Sequence, residues 1–284
     1  MRLFKLELQR VGPGAHAELL LVEDGDFVPV TIITGENGTG KTLLLDAIRT
    51  MFGPKFSGEV RPVARPDESG TISIHFGGSG PPHFHITTDN PQLPRELANL
   101  PSSIVRGGPA PEWVVDYWSS RTPAGSFRVQ QLEAIALRGF LQASLSGEIT
   151  NSSTTQFICQ ADYLQDSRDP GEHGHGRALW TAIERIARVA LINGRLDRVM
   201  RATLTPIFVQ HGRELELRHL NAGSLYIIQR ALGLLQRMYA CYVLSGREGS
   251  ILEIPGLLLI DEAENHLHPK WQKRFIPMLR GLFP

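Results

Sequence analysis

The residues best able to do chemistry form one unbroken run, Gly35-Glu36-Asn37-Gly38-Thr39-Gly40-Lys41-Thr42, which fits the pattern G-x-x-x-x-G-K-[ST] at every fixed position. Glycines so placed let a backbone wrap a phosphate chain with its N–H groups turned inward. A helix opening directly behind adds the positive end of its dipole. Lys41 is then placed to reach the β- and γ-phosphates, and the Thr42 hydroxyl to hold Mg²⁺. The run predicts a site for a nucleoside triphosphate; the alternative is a glycine-rich turn without chemistry. A second candidate is Gly256-Leu257-Leu258-Leu259-Ile260-Asp261-Glu262, an apolar run closed by acids. A carboxylate at the tip of a buried strand beside a phosphate loop can hold the Mg²⁺ shell, the role expected of Asp261. Glu262 is the candidate general base for the attacking water. Alone, the run also reads as a core strand with an acidic turn; the phosphate loop elsewhere in the chain favours the catalytic reading.

The elements that must position these groups follow from periodicity. Val30-Thr31-Ile32-Ile33 is apolar and β-branched and predicts a buried strand leading into the loop, and Leu44, Leu45, Ile48, Met51 and Phe52 predict a helix behind it. Strands are expected over 2–11, 17–23 and 28–34, and a hairpin over 70–76 and 82–88 around Gly77-Gly78-Ser79-Gly80. The Pro- and Gly-rich stretch 91–111 marks a boundary, and 114–119 reads as a further strand. From about Phe127 the pattern turns helical, notably over 130–144 and 178–203, with a surface loop over 166–176. Residues 204–210 and 213–218 read as strands joined at His211-Gly212, and 270–282 as a last helix. Leu225, Ile228, Ala231, Leu232, Leu235 and Met238 put an apolar helix behind Leu220-Asn221-Ala222-Gly223-Ser224.

Composition narrows the function classes. The 284 residues, 42% of them hydrophobic, suffice for one large or two modest domains. Lys and Arg number 29, as do Asp and Glu, so no global field draws the chain to nucleic acid or membrane. Cys159 and Cys241 lack metal-ligand spacing, and Cys241 falls on the apolar helix and reads as core. The N-terminus alternates charged and apolar residues as a strand does, not as a signal peptide, and no apolar run is long enough to span a bilayer. A cytoplasmic protein without membrane association is expected.

Asp261-Glu262-Ala263-Glu264-Asn265-His266-Leu267-His268-Pro269, with Trp271-Gln272 following, resembles the Walker B and D-loop segment of ABC-type ATPases. More narrowly it is similar to the overcoming-lysogeny-defect (OLD) branch and its relatives in bacterial anti-phage systems, including the ATPase subunits of Septu and some retrons. Asn37-Gly38 also suits the ABC, SMC and DNA-repair ATPase group. The resemblance covers residues 1 to about 52 and 205–284 well and the middle poorly. It implies an α/β P-loop NTPase, ABC ATPase-like, with an N-terminal antiparallel β layer and an inserted helical lobe. The corresponding division is 1–95 with Walker A, 96–204 as the helical lobe, and 205–284 with the signature and Walker B.

The resemblance also implies ATP and Mg²⁺ as ligands and a dimer that sandwiches nucleotide. A signature loop of one subunit faces the γ-phosphate held by the other, and Asn221, Gly223 and Ser224 are the candidates. The family usually has Ser where Asn221 stands; an amide still donates to a phosphate oxygen and Gly223 still permits close approach. The glutamine that links Mg²⁺ to the helical lobe has only Gln92, Gln130 and Gln131 as candidates. Relatives continue past the last helix into a strand ending in Thr-His-Ser, whereas this sequence stops at Pro284. The expectation is a longer natural protein, or a strand from another chain. No TOPRIM nuclease motif is present, so a nuclease effector would lie on a partner or beyond Pro284. There is no long coiled-coil arm of the SMC kind.

Arg177, Arg185, Arg188, Arg195, Arg198 and Arg201 outnumber Glu184 and Asp197 on one stretch read as helical. They suit nucleic-acid phosphates or an acidic partner, or equally a solvated face laced with ion pairs. His173 and His175 could ligate a metal but suit a solvated loop better. Together these readings point to an ATP-hydrolysing dimeric switch controlling a nuclease or other effector in anti-phage defence. The alternatives are an ATPase that clamps DNA directly and a nucleotide-bound scaffold with little turnover.

Overall fold

A computed structural model of the chain describes residues 2–11, 16–23, 26–52, 69–77, 83–87, 113–121, 123–144, 149–263, 265, 267 and 269–284. The chain divides into two compact units, Met1–Ala110 and Pro111–Pro284. The expected turn over 78–80, the boundary stretch 91–111, Gln92, Glu264, His266 and His268 fall outside the described residues.

In the first unit β1 (Arg2–Gln9) runs between β2 (His16–Leu20) and β5 (Thr71–Gly77), and β6 (His83–Thr87) completes an antiparallel sheet in the order β2-β1-β5-β6. Register sets Leu6 opposite Ile74 and Leu8 opposite Ile72, and the strict alternation of apolar residues sends all of them to one buried face. Helix α1 (Lys41–Phe52) packs against β5 and adds Ala47 and Ile48 to that core. A small ribbon of β3 (Val22–Glu23) and β4 (Asp26–Phe27) precedes the phosphate loop. The antiparallel layer and the helix behind the loop are as the sequence leads one to expect. The strand expected over 28–34 is not formed: 28–36 carry no strand, and Ile32 is 72% exposed. Such a run is a strand only when a neighbour completes its ladder, and no strand pairs with it among the described residues of its unit.

The second unit is built around α5 (Ala222–Ser245), buried from Tyr226 to Cys241 on nearly every side. It packs against β7 (Val114–Trp118), α2 (Leu137–Gln142), α3 (Asn151–Leu164) and α4 (Pro170–Ala190). Strand β7 pairs in parallel with β11 (Gly256–Ile260), from Val114 opposite Gly256 to Trp118 opposite Ile260. A second sheet has the order β10-β9-β8, formed by β8 (Gly194–Met200), β9 (Thr205–Gln210) and β10 (Arg213–Glu216). The β9–β10 hairpin turns at His211 and Gly212, both at positive φ, as expected. Helix α6 (Pro269–Leu282) closes the chain.

Three helical expectations need correction. Residues 130–136 are irregular and only Leu137–Gln142 is helical; the Glu133 carbonyl accepts from Gln160 Nε2 at 2.9 Å, which takes the place of a helical bond. The loop expected over 166–176 ends at Asp169, whose side chain accepts from Glu172 N at 2.9 Å and caps α4, with Pro170 in its first turn. The helix expected over 178–203 stops at Ala190. Asn193 takes a positive φ, and alternating burial along β8 replaces the helical period.

Candidate functional site

The loop before α1 is shaped by its own backbone. Gly38 and Gly40 sit at φ 82° and 95°, a conformation open to glycine and strained for other residues. Gly35 answers a need for space, since a Cβ there would lie 2.9 Å from Thr39 Oγ1. Lys41 Nζ donates to the carbonyls of Gly35 and Glu36 at 2.7 and 2.8 Å, and Thr39 Oγ1 donates to Glu36 O at 2.9 Å. The carbonyl side of the loop is thus tied back by Lys41 and Thr39. Residues 35–39 are exposed, and Thr42 is exposed on the first turn of α1. This is a curled, exposed turn with a cation at its centre, opening a helix, which is the physical requirement for holding a phosphate chain.

Asp261 and Glu262 follow directly on β11. The backbone N–H of Asp261 donates to Trp118 O at 2.9 Å, which extends the β7–β11 ladder to the acid. Its carboxylate is 8% exposed and accepts from the Tyr117 hydroxyl at 3.3 Å. Glu262 is exposed and takes φ 51°, an uncommon conformation for a glutamate. Asn265 engages it through the bond from Asn265 N to Glu262 O at 2.9 Å and through a side-chain bond from Asn265 Nδ2 to Glu262 Oε2.

Behind this strand pair lies a buried polar layer, which the apolar spacing along α5 does not announce. Arg230 is 1% exposed, and its Nη2 donates to Ser119 O at 2.8 Å, Ser119 Oγ at 3.0 Å and Arg121 O at 2.6 Å. Its guanidinium also lies 5.5 Å from the centre of the Tyr226 ring. Arg237 Nε lies 3.1 Å from Asp116 Oδ1 in a buried ion pair, and Trp118 Nε1 donates to Asp116 Oδ2 at 3.0 Å. Burial pushes the Asp116 carboxyl up while the Arg237 guanidinium draws it down, and burial dominates. Burial likewise raises the Tyr226 phenol and lowers Arg230. The signal was present: charged residues inside Val114-Val115-Asp116-Tyr117-Trp118 and along an otherwise apolar helix must find one another.

Asn221 is the N-cap of α5: its Oδ1 accepts from Ser224 N at 2.9 Å and its Nδ2 donates to Ser224 Oγ at 3.0 Å. Asn221 is exposed and Gly223 half-buried, whereas Ser224 is 2% exposed and donates its hydroxyl to Ala190 O at 2.7 Å. The arginine stretch is divided among α4, β8 and the turn that follows β8, and is largely taken up by acids. Arg188 meets Glu184, Arg195 meets Asp197, Arg198 meets Asp197 and Glu214, and Arg201 meets Asp162 and Asp166. Arg185 donates to the Gly281 carbonyl. His173 and His175 lie on α4, and the His175 ring stands edge-on to Tyr239 and Tyr242 at 5.8 Å from each. Among the described residues no cluster of three or more His, Cys, Asp or Glu is arranged to hold a metal. Gln130 and Gln131 are exposed ahead of α2.

The structure therefore brings together Asp261, Tyr117, Glu262 and Asn265 within the second unit, and Gly35 to Thr42 within the first. Set beside known protein families, residues 5–156 match the AAA domain family, more than half of the chain. The match takes in the glycine loop, α1 and β7 and ends within α3. No described helix is long and apolar enough to cross a membrane.

Proposed function

The chain belongs to the AAA domain family, an ATPase of the P-loop, SMC-like type, and from that premise we propose that it is an ATP-hydrolysing dimeric switch that controls a nuclease or other effector in anti-phage defence. The observation that carries this reading is the exposed loop with Lys41 at its centre, opening α1. In the reaction a water oxygen attacks the γ-phosphorus and Glu262 takes the water proton. The bond from that phosphorus to the β–γ bridging oxygen breaks, and ADP leaves with inorganic phosphate as the other product. Lys41 exchanges its loop carbonyls for phosphate oxygens, a bond strengthened by the charge on both partners.

The oxygen donors offered by Thr42 and Asp261 suit Mg²⁺, which binds through few protein ligands and keeps substrate phosphates and waters for the rest. Mg²⁺ would supply charge neutralisation on the phosphates. Tyr117 holds one Asp261 oxygen and so fixes the direction of the other. What supports assigning Thr42 and Asp261 to one ion is the co-occurrence of the two motifs in one chain. Asn221 and Gly223, at the accessible N-terminus of α5, are the groups we assign to the γ-phosphate of a second subunit, with Ser224 anchoring that end of the helix to Ala190. Direct clamping of DNA by the arginine stretch is disfavoured by its ion pairing with acids.

Molecular mass in solution, measured with Mg²⁺ and ATP on wild type and Glu262→Gln, tests the switch. A dimer formed by ATP that dissolves with turnover in wild type and persists in Glu262→Gln is the expected result. A mass indifferent to ATP in both would overturn it. Chelation of Mg²⁺ should stop turnover while leaving the fold intact.

A further inference from the structure

Glu262 carries an unusual combination of properties: it is exposed, it holds φ 51°, and both its carbonyl and one carboxylate oxygen are engaged by Asn265. A glutamate in the left-handed region persists only where its surroundings over-determine it. Here the Asn265 backbone N–H, at 2.9 Å from the Glu262 carbonyl, closes the turn, and the Asn265 amide fixes the side chain. Along β11 the chain is held by the ladder to β7, and that ladder ends with Asp261 N on Trp118 O. The residue directly beyond it has its orientation set by Asn265.

We propose that Asn265 is the positioning residue for Glu262: its Nδ2 holds Oε2 and leaves Oε1 directed at the attacking water. This rests on the reading of Glu262 as the general base. An amide suits the task because it donates a hydrogen bond without adding a charge, so it orients the carboxylate without neutralising it as a lysine would. An ionised aspartate at the same position keeps the size and turn preference of asparagine but has no donor and repels Glu262.

Asn265→Asp and Asn265→Ala, made in the full chain, separate orientation from turn formation. Steady-state ATP hydrolysis, binding of a non-hydrolysable ATP analogue, and thermal unfolding are measured on both, with Glu262→Gln alongside. The expected result for Asn265→Asp is a kcat about tenfold to a hundredfold lower, as loss of one orienting hydrogen bond implies. The KM for ATP, analogue binding and Tm should stay at wild-type values, and Asn265→Ala, which loses the orienting donor without adding a charge, should lower kcat by the same factor or less. Wild-type kcat in Asn265→Asp, with Glu262→Gln inactive, would overturn the positioning role and leave the base intact. Wild-type kcat in both Asn265→Asp and Glu262→Gln would overturn the base itself. A loss of analogue binding or Tm matching the loss of kcat would reduce Asn265 to a structural turn residue.

Discussion

The loop at Gly35–Thr42 and the strand end at Asp261 are built from opposite materials. The first is backbone: glycine dihedrals and carbonyls tied to Lys41, exposed and local in sequence. The second is side chain: Asp261 held by Tyr117, and beneath it Arg230 on the carbonyls of Ser119 and Arg121 and Arg237 beside Asp116, buried and joined over long stretches of sequence. The two are vulnerable in different ways. An exposed loop can lose its ligand without the fold noticing, because its groups already face water. A buried polar layer cannot lose one member without leaving another uncompensated.

The largest effect should come from breaking that layer. Arg237→Ala leaves the Asp116 carboxylate buried without its counter-charge and should cost about 3–5 kcal/mol of stability, read from urea unfolding. Replacing both partners with apolar residues, as Asp116→Leu with Arg237→Met, should recover most of that loss. Lys41→Ala is the counterpart in the loop. It should weaken ATP binding about tenfold to a hundredfold, since one charge-assisted bond is removed, while Tm stays near wild type. Calorimetric titration and a melting curve on the same sample would show whether binding and stability separate as the comparison requires. The smallest effect falls between the two regimes. Asn221→Ala removes the exposed cap of a buried helix and should cost about 1 kcal/mol, measured by thermal unfolding.

The same contrast explains what was legible in the sequence. The loop could be read because its residues are consecutive and each answers a local demand, and Lys41–Phe52 followed from the apolar spacing behind it. Residues 30–33 could not be read correctly, because whether an apolar β-branched run becomes a strand depends on a neighbour that local pattern does not specify. The start of α4 was legible in Asp169-Pro170, a cap followed by proline, but the glycines and histidines that follow suggested a loop. The periodicity of α5 was clear, yet the partners of Arg230 and Arg237 lie on β7 and just beyond it, far away in sequence. The bond from Asn265 to Glu262 spans a single turn, but its existence depends on a positive φ that no side chain in the motif announces.

The proposed hydrolysis requires both a nucleotide held at Lys41 and a base at Glu262, and ATP turnover beside ATP affinity for wild type and Glu262→Gln tests it most directly. The expected result is unchanged affinity and a turnover about a hundredfold to ten-thousandfold lower in Glu262→Gln, the contribution of a positioned general base. Equal turnover in the two proteins, or failure of wild type to bind ATP with Mg²⁺ present, would contradict it.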